Sequence, residues 1–154
     1  MDIAALLTRG GVWYNIPGAT SADFIESMVA SVSLPASIGR EELAQACARR
    51  EANSPTAMGR GLAFPHPGIP MAKGPEEAFV AVAYPRFPIN WRAPDGAPVK
   101  AVFLIISDSR NEHLTTLSSL AKLCGDEDFY AALLAEAPLE VLAGLVRAKP
   151  AGKN

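Results

Sequence analysis

A chain of 154 residues with a formal net charge of −2 is about one domain long and can bury a core of its own. With 49% hydrophobic and 19% charged residues it has the balance of a globular protein, and it carries no basic footprint for nucleic acid. The start, Met1-Asp2-Ile3-Ala4, lacks the positive region of a secretory signal, and the densest apolar run, Ala101 to Ile106, is too short to cross a bilayer. A reducing, cytoplasmic setting without membrane insertion is expected.

In chain order, Gly10-Gly11 ends a short N-terminal segment, and Val12 to Ile16 has strand composition. After the Pro17-Gly18 turn, Thr20 with Asp23 three residues on marks a helix start. Phe24, Ile25, Met28, Val29 and Val32 form its apolar face, and the helix is expected to end near Leu34-Pro35. A second helix is predicted from Arg40 to Glu51, with Leu43, Ala46 and Cys47 turned inward. From Asn53 to Pro75 the chain is rich in glycine and proline and reads as loop, with one short strand at Leu62-Ala63-Phe64. Ala78 to Tyr84 and Val99 to Ile106 are apolar on successive residues, the pattern of strands buried on both faces. Pro94-Asp95-Gly96 turns the chain between them.

Leu114, Leu117, Leu120, Ala121 and Cys124 stripe a further helix, Asp126 caps the next, and Pro138 opens the last. The pattern is α/β, a mixed β-sheet flanked by α-helices in a single domain over residues 1–150, with residues from Lys149 fraying and 151–154 a tail. Cys47 and Cys124 form no CxxC pair and read as buried free thiols. The segment Pro85 to Trp91, with Phe87 and Trp91, is either an interface or a core-packed strand.

Chemistry concentrates on two histidines. His66 stands in Phe64-Pro65-His66-Pro67-Gly68, where flanking prolines fix φ and remove two backbone donors. A surface histidine in a proline-rich turn is an equally open reading of that local sequence. His113 follows Arg110-Asn111-Glu112 at a helix start; alone it reads as a half-exposed first-turn residue. An imidazole of pKa about 6.5 is largely neutral at cellular pH and can accept a phosphoryl group, whose charge in flight needs fixed donors or cations. Arg50 offers a bidentate fork, His113 a ring N–H, and the stretch Thr56 to Gly61 backbone N–H groups. The pairs Glu41-Glu42 and Glu76-Glu77 and the run Asp126-Glu127-Asp128 read as helix-start or solvated charges. Two distant histidines without a clustered acid or thiol make a poor metal site, and no nucleophile elbow or P-loop is present.

The segment Arg50-Glu51, a short spacer, then Thr56-Ala57-Met58-Gly59-Arg60-Gly61-Leu62-Ala63-Phe64-Pro65-His66 resembles the signature of type-2 EIIA domains of the phosphotransferase system, of the fructose/mannitol and nitrogen-regulatory kinds. That family reads Arg-Glu, spacer, Thr-x-(apolar)-Gly-x-Gly-(apolar)-Ala-(apolar)-Pro-His. Glu112-His113-Leu114 through Ala121 is similar to its second motif. The resemblance implies that His66 is the phosphorylated histidine, with His113 and Arg50 supporting the group and Thr56, Gly59 and Gly61 in the phosphate loop. It implies an HPr-like phosphocarrier as donor, a IIB component or a regulated kinase or transporter as recipient, and no dissociable cofactor. One departure stands out: the family usually has glycine after the histidine, and here it is Pro67. Three functions follow from these residues: a phosphoryl carrier, a regulatory binding protein switched by phosphorylation, and a module of the same fold that no longer meets phosphate.

Overall fold

The computed structural model describes residues 2–149. Helix α1 (Ile3–Gly10) is capped by the Asp2 carboxylate and leads through Gly11 into β1 (Val12–Ile16). Thr20 caps α2 (Ser21–Ser31), its hydroxyl accepting from the Asp23 amide as the spacing predicts. That helix stops three residues short of Leu34; Val32 leaves it in extended conformation yet stays buried, which keeps the apolar face intact. Helix α3 (Arg40–Asn53) buries Leu43, Ala46 and Cys47 and runs two residues past Glu51.

The segment from Asn53 to Pro75 holds more structure than its glycines suggest. β2 (Ala57–Gly59) and β3 (Leu62–Ala63) form a hairpin closed by Arg60 and Gly61, both at positive φ (58° and 83°). Two central residues at positive φ match the twist of paired strands. Arg60 tolerates this because it is held on every side. Its N–H donates to Asp95, its carbonyl accepts from the Tyr130 hydroxyl, and its guanidinium lies over the Tyr130 ring.

β4 (Phe79–Pro85) and β5 (Ala101–Ile106) are buried at every residue, as their unbroken apolar composition predicts. The sheet order is β1-β4-β5-β3-β2; β1 runs parallel to β4, β4 antiparallel to β5, and β3 parallel to β5. Helices α4 (Arg110–Cys124), α5 (Glu127–Leu134) and α6 (Leu139–Ala148) complete the chain. Asp126 caps α5 and Pro138 precedes α6. One apolar cluster joins the helices to the sheet, with Phe64 stacked on Phe103 at 5.2 Å and Tyr84 donating to the Ala137 carbonyl at 2.7 Å.

Three expectations need correction. On α4 the buried stripe is Thr116, Leu120, Leu123 and Cys124, whereas Leu114 and Ala121 are exposed. The helix is rotated so that Leu114 stands at the mouth of the cleft described below. Lys149 does not fray: it pairs with the Asp126 carboxylate at the start of α5. The expected tail, 151–154, lies outside the described residues. Finally, Phe87 and Trp91 part company, since Phe87 is 73% exposed and Trp91 is buried with its indole N–H on Glu51. Cys47 and Cys124 are buried free thiols, as expected.

α1 lies directly on β4, and Gly10 is the contact: a methyl group there would overlap the Val80 carbonyl and the Ala81 amide. Both neighbours are backbone of a central strand and cannot step aside. Gly10→Ala is therefore expected to destabilise by about 3 kcal/mol through overpacking. For a chain of this size that is a fall of roughly 10 °C in melting temperature, which thermal unfolding by circular dichroism would measure. A fall of under about 3 °C would mean that α1 can slide on the sheet.

Candidate functional site

Because β3 and β5 are parallel neighbours, their C-terminal ends meet at the same edge of the sheet. β3 runs on through Phe64 and Pro65 into His66, and the Ile105 amide extends the ladder by donating to the Pro65 carbonyl at 3.1 Å. β5 runs on through Ser107 to Ser109, which caps α4, and His113 is the fourth residue of that helix. The two rings consequently meet with centroids 4.4 Å apart, tilted by 44°. The pairing that neither local sequence reveals is a consequence of sheet topology.

His66 is half-buried, and its Nδ1 lies 2.9 Å from the Phe64 carbonyl. A carbonyl only accepts, so Nδ1 carries the proton and Nε2 is left with a free lone pair. Arg50 comes from the last turn of α3, where one Nη donates to the Ser54 carbonyl at 2.8 Å and helps close the helix end. Its stem passes over Gly68, which sits at φ 82° and has no Cβ to obstruct it.

These side chains line one cleft of about 350 Å³, with Pro67, Gly68, Ile69, Ser107, Ser109 and Arg110 among the other walls. Among the described residues no aspartate or glutamate lines it, while two arginines and two histidines do. Ile69 and Leu114 form an apolar, exposed rim.

The electrostatics follow. Burial lowers the pKa of His66; the Phe64 carbonyl opposes that shift, the Arg50 charge adds to it, and Glu51 opposes it. Burial, then the neighbouring His66 and Arg50, push His113 down to about 4. Both rings are thus neutral near pH 7. A histidine whose folded pKa lies below its unfolded value takes up protons on unfolding, so it destabilises the fold as pH falls from about 6.5 toward the folded value. Between pH 7 and 5 the denaturation midpoint is expected to fall, and His113→Gln to flatten that slope. An NMR titration placing the His113 transition above about 6.5 would sink this expectation.

Not every expected site residue arrives. Thr56 is buried behind the cleft, its amide and hydroxyl both donating to Glu51, at 2.6 and 2.7 Å. Gly59 faces Asp95 and Gly61 faces Pro98 and Lys100, so the hairpin carries both glycines away from the cleft walls. Two residues that sequence reasoning passed over do belong to the picture. Arg110 lines the cleft, and Glu51 ties α3 to the hairpin and to Trp91. Arg110 had one signal in the sequence, its place three residues before His113 on the same helix face. Among the described residues no group of three or more His, Cys, Asp or Glu is placed to hold a metal ion.

The family described as the phosphoenolpyruvate-dependent sugar phosphotransferase system, EIIA 2, matches residues 5–147. This chain belongs to that EIIA type-2 family. Among curated relatives, the EIIA domain is 30% identical over 139 residues to the fructose-specific EIIABC component of Bacillus subtilis (strain 168), covering 87% of this chain and 21% of that protein. It is 31% identical over 105 residues to a nitrogen regulatory protein of Bradyrhizobium diazoefficiens, covering 67% of each. The chain thus spans about a fifth of the length of the fructose component it matches. The crystal structure of nitrogen regulatory protein IIA-Ntr from Neisseria meningitidis superposes with a TM-score of 0.76 at 22% identity, over 94% of this chain and 98% of that one. The IIA mannitol component of Escherichia coli, solved in complex with phosphorylated IIB, superposes with a TM-score of 0.68 at 20% identity, over 90% and 95%. Both neighbours share the mixed sheet and flanking helices. The family's description places its members in a phosphoenolpyruvate-dependent sugar phosphotransferase system. Among the described residues no helix is long and apolar enough to cross a membrane.

Proposed function

We propose that this EIIA domain is a phosphohistidine carrier, loaded on His66 Nε2 by an HPr-like protein, and that it works in the cytoplasm in a nitrogen-regulatory role. One observation carries the reading: a cleft that joins a nucleophilic nitrogen to two guanidinium groups and a second imidazole, with no carboxylate from the described residues among its walls. Such a cleft attracts an anion and offers it charge-assisted donors.

The chemistry is a displacement at phosphorus. The Nε2 lone pair forms the new phosphorus–nitrogen bond as the donor's bond breaks, and the donor ring, protonated on its other nitrogen, leaves with that bonding pair as neutral imidazole. Nδ1 keeps its proton and goes on donating it to the Phe64 carbonyl, which stabilises the positive ring that forms. Arg50, with donors beyond the one on Ser54, and His113 take the charge on the phosphoryl oxygens. Once the dianion is in place it attracts a proton to His113, reversing the direction in which that ring is pushed in the unloaded cleft. The nitrogen-regulatory role is supported by the relatives of that name. The exposed rim of Ile69 and Leu114 also suits a regulatory reading, in which the added charge changes affinity for a kinase or transporter.

The test is incubation of the purified chain with phosphoenolpyruvate, enzyme I and an HPr-type carrier, followed by intact-mass spectrometry. One acid-labile phosphoryl group per chain is expected. No gain from any of several carriers, in a protein shown to be folded, would leave a binding module that does not carry phosphate.

A further inference from the structure

We propose that Arg110 is a second guanidinium clamp on the phosphoryl group of His66, taking the place of the backbone donor that Pro67 lacks. The proposal rests on the phosphocarrier reading.

Pro65 and Pro67 flank His66, so of three consecutive residues at the acceptor only His66 has an amide N–H. Pro67 is buried and lines the cleft, so the chain immediately after the acceptor presents ring carbons where another residue would present a donor. A phosphoryl group has three oxygens to satisfy. Arg50 spends one of its N–H groups on Ser54, and His113 can turn only one ring N–H toward the group. Arg110 supplies what is missing. It is the first residue of α4, three before His113 and therefore on the same helix face, and it lines the same cleft.

Its surroundings give it no other occupation. Among the described residues its side chain has no hydrogen bond or ion pair, whereas Arg9, Arg40 and Arg60 all donate to backbone carbonyls. A cation in the first turn of a helix also opposes the helix dipole, so the position brings no benefit to the unloaded domain. An exposed arginine in a first turn is ordinarily a solvated surface charge; the shared cleft, the missing donor and the unfavourable dipole together argue otherwise. A phosphoryl dianion on Nε2 would reverse the balance, since two of its oxygens give the planar guanidinium a bidentate partner.

The experiment loads the domain in two ways: from the HPr-type carrier, and from phosphoramidate, a small donor with no protein surface. In the second, the nitrogen–phosphorus bond of N-protonated phosphoramidate breaks, ammonia leaves with the bonding pair, and the Nε2–phosphorus bond forms while Nδ1 keeps its proton. Arg110→Gln is expected to slow loading from both donors by about tenfold, less than the 10²–10³ typical of an enclosed oxyanion donor because Arg110 is exposed. Arg110→Lys should recover part of the rate, and the phosphorus NMR resonance of the loaded histidine should shift in Arg110→Gln. Equal rates and an unmoved resonance in a folded Arg110→Gln would overturn the proposal. Slowing with the carrier alone would overturn it too, and would make Arg110 a contact for the carrier protein. If the unsubstituted domain takes phosphate from neither donor, the phosphocarrier reading falls and the proposal falls with it.

Discussion

His66→Ala is expected to take up no phosphoryl group from the phosphoenolpyruvate, enzyme I and carrier mixture that loads the unsubstituted domain. The loss should be complete because the substitution removes the bond-forming atom, whereas every other change in the cleft removes only a donor or a charge. Among the described residues His113 is the other imidazole, near enough to stand in with its ring centroid 4.4 Å away. Among the described residues no hydrogen bond holds its tautomer as the Phe64 carbonyl holds that of His66. His113→Ala should therefore still load, more slowly by about 10², the scale of one removed oxyanion donor. The fold should survive both substitutions, since each ring is only half-buried. Intact mass before and after acid treatment measures the result. An acid-labile gain in folded His66→Ala, mapped by fragmentation to His113, would reverse the assignment of acceptor and supporting residue.

Much of this arrangement was legible in the chain, and the exceptions share a cause. β4 and β5 declare themselves because a strand buried on both faces has to be apolar at every position, and the Thr20 and Asp126 caps because a helix start needs a side-chain acceptor. His66, Arg50 and His113 were expected together from motif resemblance, and parallel β3 and β5 supply the physical reason. The hairpin of β2 and β3 escaped because its turn lacks the usual Asn-Gly. Arg60 accepts positive φ only through Asp95 and Tyr130, far along the chain. The same hairpin removes Gly59 and Gly61 from the cleft, although they are near His66 in sequence. Phe87 and Trp91 occupy one short segment, and what separates them is the indole's distant partners, Glu51 and Phe24. Leu114 misled the periodicity because a residue at a cleft mouth is apolar without being core. In each case a long-range contact decided what local pattern had left open.

Glu51 is where those long-range contacts converge, and Glu51→Ala is expected to be the most damaging change outside the core. Its carboxylate accepts from the Thr56 amide, the Thr56 hydroxyl and the Trp91 indole at 2.6 to 2.8 Å. Hydrogen bonds to a charged acceptor contribute about 1.5–3 kcal/mol each, and a buried donor left unpaired costs about 1–3 kcal/mol. Thr56 and Trp91 are both buried, so water cannot readily replace the carboxylate. A loss of about 4 kcal/mol, or roughly 10 °C in melting temperature, follows. The damage should reach the cleft as well. Glu51 is adjacent to Arg50 in the last turns of α3, and its three bonds pin that helix end to the start of the hairpin leading to His66. Removing its charge also withdraws one of the two influences that hold the His66 pKa up, so the His66 titration in NMR should move to lower pH. Glu51→Gln separates the two effects: it keeps one acceptor oxygen and recovers part of the stability, yet it shifts His66 as the alanine does. If Glu51→Ala melts within about 2 °C of the unsubstituted domain, the carboxylate is not the anchor of α3, and the position of Arg50 must depend on its own contacts with Ser54 and Gly68.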